Sequence, residues 1–182
     1  MCRLYSNLKA IKIREKKLEI WLVSFLGGFV GCIFMDFTEE KMSKFGVSSG
    51  VTAAYIGRWV KGIVNGTFVH QDIAKVKKVK NEIRIGQFFH FVIGGGIVAL
   101  FYPLFLTVIG FADSPNHLIL AAIFGLATSV LPWFVLMPAF GWGVFGSKSP
   151  SGTMPVISPV LSHISYGFGI GLTLVTYYAV IT

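Results

Sequence analysis

Asp36, His90 and His163 are titratable side chains set in otherwise apolar sequence, and Glu82 and His70 stand just outside it. An ionisable group inside an apolar helix is costly and ordinarily faces a bundle interior or a water-filled cavity. Two imidazoles and a carboxylate can do one of three things there. They can ligate a divalent metal, handle a proton, since imidazole titrates near neutrality, or hydrogen-bond one helix to the next. They come from separate apolar segments, so no motif spacing selects among these. If a metal is held, His90, His163 and Asp36 are its ligand set. His90 stands in the stretch EIRIGQFFHFVIGGG, residues 82–96, about 8 Å past Ile85 at helical rise.

The elements that must position these groups are membrane helices. The chain has 182 residues, the size of one domain, with 54% hydrophobic and 13% charged residues. A soluble domain carries about 25% charged residues. Four apolar runs, about 20–37, 85–109, 117–137 and 157–181, are long enough to cross roughly 30 Å of hydrocarbon as helix. The expected fold is all-α, a four-helix transmembrane bundle in one membrane domain. Residues 1–19 are a basic N-terminal segment and 38–84 a basic polar loop with short interfacial helices. Net charge is +8, but the basic residues lie outside the apolar runs. They therefore point to lipid headgroups and not to nucleic acid. Phe29-Val30-Gly31-Cys32 faintly resembles a lipoprotein cleavage box, but the apolar run continues beyond the cysteine, so a retained span is expected.

Within the loop, the sequence predicts a helix over 48–63, beginning at a serine, and a second over 71–80. Pro103 should kink the second span by freeing the carbonyl of Ala99, and Pro132 and Pro138 should free those of Thr128 and Phe134. Residues 139–146, rich in glycine and aromatics, read as a hinge or re-entrant turn, with Trp133 and Trp142 as interfacial belt residues. His117, at a helix start, reads as incidental. Gly27 and Gly31, Gly94 to Gly96, and Gly167 and Gly171 make small-residue faces for close helix packing, and a homodimer through them is the expected assembly.

Four spans put the end of the first, the start of the second, the end of the third and the start of the fourth on one side. Asp36, His70, Glu82, Gln87, His90 and His163 all fall at this mouth. Asp36, Glu39 and Glu40 end the first span and oppose its dipole, so Lys41, Lys44, an arginine of the loop or a bound cation should offset them. The mouth side carries ten Lys and Arg against six in the N-terminal segment, which favours a cytoplasmic mouth. The dense basic cluster before the first span argues the other way.

The chain resembles the bacterial membrane family known as Domain of Unknown Function 2938. The likeness rests on Met35-Asp36-Phe37; on Gly57-Arg58-Trp59 with Gly62, Gly66, Phe68 and His70; and on Glu82, Ile85-Gly86 and His90. It continues through Thr128 to Pro132 and Pro138-Ala139-Phe140-Gly141-Trp142-Gly143, then Ser147-Lys148-Ser149-Pro150, and ends with Leu161-Ser162-His163, Gly167, Gly169 and Leu172. The family tends to have glutamine where this chain has Met137, and proline and glycine where it has Lys78 to Asn81. The resemblance implies a multi-pass protein of the bacterial inner membrane and no particular chemistry.

The functional expectation is a small carrier, or a subunit of one, that binds a proton, cation or small solute at one membrane face through Asp36, His90 and His163. The alternative is a non-catalytic membrane module that binds a protein partner or lipid, its intramembrane histidines structural. A lipid-directed enzyme would need a nucleophile or a metal. No serine-histidine-aspartate order, P-loop or dinucleotide motif is present, and no cofactor is expected.

Overall fold

The computed structural model describes residues 2–112, 114–150 and 154–181, with side chains from Leu18 onward. All regular structure among the described residues is helical, and four helices are long and apolar enough to cross a membrane. Helix α1, Cys2–Ser43, runs beyond the expected span at both ends. It continues until Gly46, whose φ of +80° turns the chain away. There the Gly46 N–H reaches the Ser43 carbonyl and the Val47 N–H reaches that of Met42, a Schellman cap that satisfies the last carbonyls. Leu18, Leu22, Leu26, Ile33 and Phe37 form an exposed apolar stripe along α1, the surface a lipid-facing helix presents.

Helix α2, Ala53–Val64, starts at Thr52, whose side chain accepts the Tyr55 N–H, and not at the serine expected to open it. The serines are used otherwise: Ser48 accepts the Gly50 N–H, and Ser49 bonds Glu39. The α2 end repeats the Schellman pattern at Gly66 and Thr67. The second loop helix does not form. Residues 71–80 hold only a 3-10 turn, Ile73–Lys75. The backbone groups a helix would use are taken elsewhere. The His70 and Ile73 N–H groups donate to Ala139 and Phe140 carbonyls, and the Arg58 guanidinium takes the Ile73 and Val76 carbonyls at 3.4 Å each.

The second span is Glu82–Val108. It begins as α3, Glu82–Phe88, widens into a π-helical stretch, Phe89–Ile97, breaks at Leu100, and resumes as α4, Phe101–Val108. The break is the interruption expected from Pro103. The wide winding before it was not anticipated. Glycines 94–96 tolerate it, and a carbonyl there has a partner outside the ladder, since the Tyr166 hydroxyl donates to the Gly95 carbonyl at 2.6 Å. The third span, His117–Ala139, comprises α5, His117–Thr128, a π-helical turn Pro132–Leu136, and the short α6, Met137–Ala139. Helix α7, Ile157–Ile181, is the fourth.

Helix α7 packs on α1 and α5, and α1 also packs on the π-helical stretch. The approach is close because it is made at glycines. A methyl added at Gly169 would lie 2.6 Å from the Gly31 Cα, and one at Gly171 2.6 Å from the His117 carbonyl oxygen. Gly31, Gly169 and Gly171, among the small residues expected to join a second copy, are thus used for packing within the chain.

There are two cores. One, with Val23, Tyr102, Phe124, Tyr166, Ile170 and Leu174, lies inside the bundle. The other, with Ile56, Trp59, Ile73, Met137, Phe140 and Trp142, joins α2 and the loop after it to residues 137–142. Trp142 is fully buried there, so it is not a belt residue. The glycine-rich segment after α6 packs against the loop backbone: Gly141, at φ +84°, faces the carbonyls of His70 and Gln71. That contact, and not a re-entrant excursion, is what the glycine allows.

Candidate functional site

Helix α1 brings Asp36 to the mouth one turn after Cys32, and the π-helical stretch brings His90. The two meet: His90 Nε2 donates to Asp36 Oδ1 at 3.0 Å, and the Cys32 thiol lies 3.5 Å from the His90 carbonyl oxygen. The Asp36 side chain is 55% exposed and that of His90 21%, so the pair borders open space. That space is a cavity of about 440 Å³ bounded by α1, α2, α3 with its π-helical extension, the third span and α7.

His163 lines the same cavity but does not join the pair. Its Nδ1 lies 2.8 Å from Thr128 Oγ1, and that hydroxyl donates to the Gly125 carbonyl at 2.6 Å. A threonine has one proton to give. With it spent on the carbonyl, Thr128 accepts from His163 Nδ1–H, and in the neutral ring Nε2 is the nitrogen left for a ligand. Both histidines therefore face one chamber, each held by a different neighbour.

Glu82 and His70 do not line the cavity. Arg58 grips Glu82 through two nitrogens, at 2.7 and 3.0 Å, and Glu82 also accepts the Val79 N–H. Arg58 is 6% exposed. The hydrogen-bonded Glu82 carboxylate beside it holds the guanidinium above its usual range. This pair ties α2 to the start of the second span and is structural. His70 packs against Gly62 in the outer layer, its Nε2 buried without a partner among the described residues. Gln87 does line the cavity.

The three acids at the end of α1 separate in role. Asp36 goes to His90. Glu40 pairs with Lys44 at 3.0 Å on the exposed side. Glu39 turns inward, accepting the Ser49 N–H and hydroxyl at 3.0 and 2.9 Å and the Ser158 hydroxyl from α7. Lys41 stands over the Phe37 ring. Among the described residues, Lys44 is the one expected offset that pairs with any of these three acids.

His117 is not incidental. It is 6% exposed at the far end of the bundle, bonded through Nδ1 to the Tyr102 hydroxyl at 3.1 Å and stacked on Tyr178. Among the described residues no group of three His, Cys, Asp or Glu could hold a metal ion. His163 is drawn to Thr128, so the Asp36–His90 pair lacks a third ligand. Sequence reasoning missed Thr128 as a side chain, Tyr166, and the inward turn of Glu39. The only signal for Thr128 was its place one turn before Pro132.

Four membrane-length helices that border a cavity, largely apolar with a few polar groups, define a small polytopic membrane protein. The chain belongs to the family described as a protein of unknown function (DUF2938), whose model matches residues 25–177. No curated protein and no solved structure matches it.

Proposed function

We propose that this chain is a small carrier, or a carrier subunit, which binds a proton, cation or small solute at one membrane face. The observation that carries the reading is the shared cavity: Asp36, His90 and His163, from three spans, all line one chamber of about 440 Å³. That volume falls in the lower part of the range of small-ligand sites, roughly 300–1,000 Å³. Asp36 and His90 are the ion- or proton-handling pair, and His163 contributes a second polar group. Membership of an uncharacterised family is compatible with this reading and adds no chemistry to it. We place the protein in the bacterial inner membrane with a cytoplasmic mouth. A C-terminal alkaline phosphatase fusion should then be active, and an inactive fusion reverses the orientation.

The test is reconstitution of the full chain into vesicles under imposed proton, sodium or potassium gradients. The protein should dissipate at least one gradient faster than empty vesicles, and Asp36→Asn and His90→Ala should remove that effect. Vesicles no leakier than protein-free ones under each of these gradients, and equally tight to an imposed gradient of a labelled organic amine, would sink the reading.

A second reading is favoured by the way each histidine is bonded to a neighbouring helix or residue, Asp36 for one and Thr128 for the other. In it, the histidines only join the bundle, and the protein binds a partner or lipid through its basic loop. His90→Ala and His163→Ala that lower thermal stability while leaving every transport and binding assay unchanged would establish it over the first.

A further inference from the structure

Apart from its two histidines, the cavity carries charged side chains of one sign. Asp36 and Glu39 both line it, and among the described residues no lysine or arginine does. Asp36 Oδ1 holds His90, and no donor to Oδ2 is present among the described residues. His163 spends Nδ1 on Thr128 and keeps Nε2. The titratable atoms left open, Asp36 Oδ2 and His163 Nε2, are therefore acceptors, one of them anionic when the carboxylate is ionised, while the Gln87 amide adds neutral N–H donors. The rest of the wall is apolar and aromatic: Trp59, Phe89, Ile93, Leu131 and Val135 among others. An aromatic face attracts a cation by its quadrupole. The cavity thus offers acceptors at one side and an apolar wall at the other.

We propose that the ligand is a small organic ammonium, a nitrogen that bears N–H donors and positive charge on an apolar body. The assignment rests on the carrier reading and names its substrate class. The ammonium group sits between Asp36 Oδ2 and His163 Nε2, and the body lies against Trp59 and Phe89. A free amine fits better than the ammonium headgroup of a phospholipid, because the cavity has no cationic side chain to meet the lipid phosphate. An anion meets the Asp36 and Glu39 carboxylates and, among the described residues, no lysine or arginine, and so is disfavoured.

The experiment is titration of the purified full chain with three probes of similar size, phenethylamine, 2-phenylethanol and phenylacetate, by calorimetry at pH 7. Phenethylamine should bind at least about tenfold more tightly than either of the others, a ratio equal to about 1.4 kcal/mol. Asp36→Asn should erase most of that preference, weakening phenethylamine far more than 2-phenylethanol. Asp36→Glu, which keeps the charge, should restore it in part. Excess short-chain phosphatidylethanolamine should not displace the amine, and displacement would reassign the site to lipid. Equal binding of all three probes, or an amine affinity indifferent to Asp36→Asn, overturns the ammonium assignment, and so does failure of the amine to bind. Because the wild-type comparison needs no variant, a misfolded Asp36→Asn leaves the outcome decided. If the amine fails while gradient dissipation in vesicles persists, the substrate class falls and the carrier reading stands.

Discussion

The approach of α1 to the π-helical stretch sets the distance between Asp36 and His90, and it can be tested one methyl at a time. A methyl added at Gly95 would lie 2.7 Å from Cys32 Sγ and 2.9 Å from the Gly28 carbonyl oxygen. Both are closer than side-chain carbons normally come, so α1 must move. Overpacking of this kind costs about 1–3 kcal/mol. Alanine returns roughly 0.5–1 kcal/mol through its lower backbone entropy in a helix. Gly95→Ala should therefore destabilise by about 0.5–2 kcal/mol. Cys32→Ala alone removes a fully buried sulfur and should cost about 1–2 kcal/mol. Combined, the two should cost less than their sum, because the missing sulfur clears the nearer obstacle. The Gly28 carbonyl remains, so relief should be partial, with a coupling of about 1 kcal/mol. Gly94→Ala is the control. Its added methyl meets nothing nearer than 3.9 Å and should be neutral or stabilising. Reversible unfolding in mixed micelles measures all four variants. Strict additivity of Gly95→Ala and Cys32→Ala, or equal losses at Gly94 and Gly95, would refute the packing described for this helix pair.

Three further outcomes follow from other contacts. Arg58→Lys should lower the melting temperature nearly as much as Arg58→Gln, because lysine cannot reproduce the two-nitrogen grip on Glu82. A cation whose folded pKa is raised stabilises fully below its ordinary value and loses that contribution only as pH climbs through the raised one. The gap between wild type and Arg58→Gln should therefore stay constant from about pH 6, where carboxylates are fully ionised, up to about pH 10, and narrowing inside that window in thermal melts would contradict the pairing. Thr128→Val should cost about 0.6 kcal/mol, the average for hydrogen bonds between membrane helices, and no more than about 1.7, and free the His163 ring, visible as a changed imidazole resonance in NMR. Tyr102→Phe, which leaves His117 Nδ1 without its hydroxyl partner, should cost about 1–2 kcal/mol in the same unfolding assay and leave phenethylamine binding untouched, since neither residue borders the cavity.

The bundle was legible because four long apolar runs allow little else, and even-numbered topology placed Asp36, His90 and His163 on one side before any coordinate was known. Convergence was less accessible. Residue type and depth brought Asp36 to His90, but nothing local in the sequence distinguishes a histidine that meets a carboxylate from one that turns to Thr128. That choice depends on helix rotation, and in the second span rotation depends on a π-helical winding that glycines permit without announcing. The outer layer was misread for a related reason. Lys75, Lys77, Lys78 and Lys80 look like a solvated helix face, yet the backbone there is committed to Arg58, Ala139 and Phe140. Tertiary hydrogen bonds overrode local propensity, and they came from residues more than ten positions away. Trp142 shows the same limit: an aromatic at a span end suits a membrane interface, and only the second core reveals that it is enclosed.

That second core has a mechanical consequence. The turns that link the first span to the second and the third to the fourth are stitched to each other by the His70–Ala139 and Ile73–Phe140 backbone bonds. Arg58 and Glu82 rivet the stitched layer to the second span, and Glu39 fastens α1 to α7 through Ser158. The mouth is thus a truss, and its helix ends cannot splay one at a time. At the far end, the Tyr102 hydroxyl meets His117, which stacks on Tyr178. On the carrier reading, whatever reaches the chamber passes this cross-bonded frame.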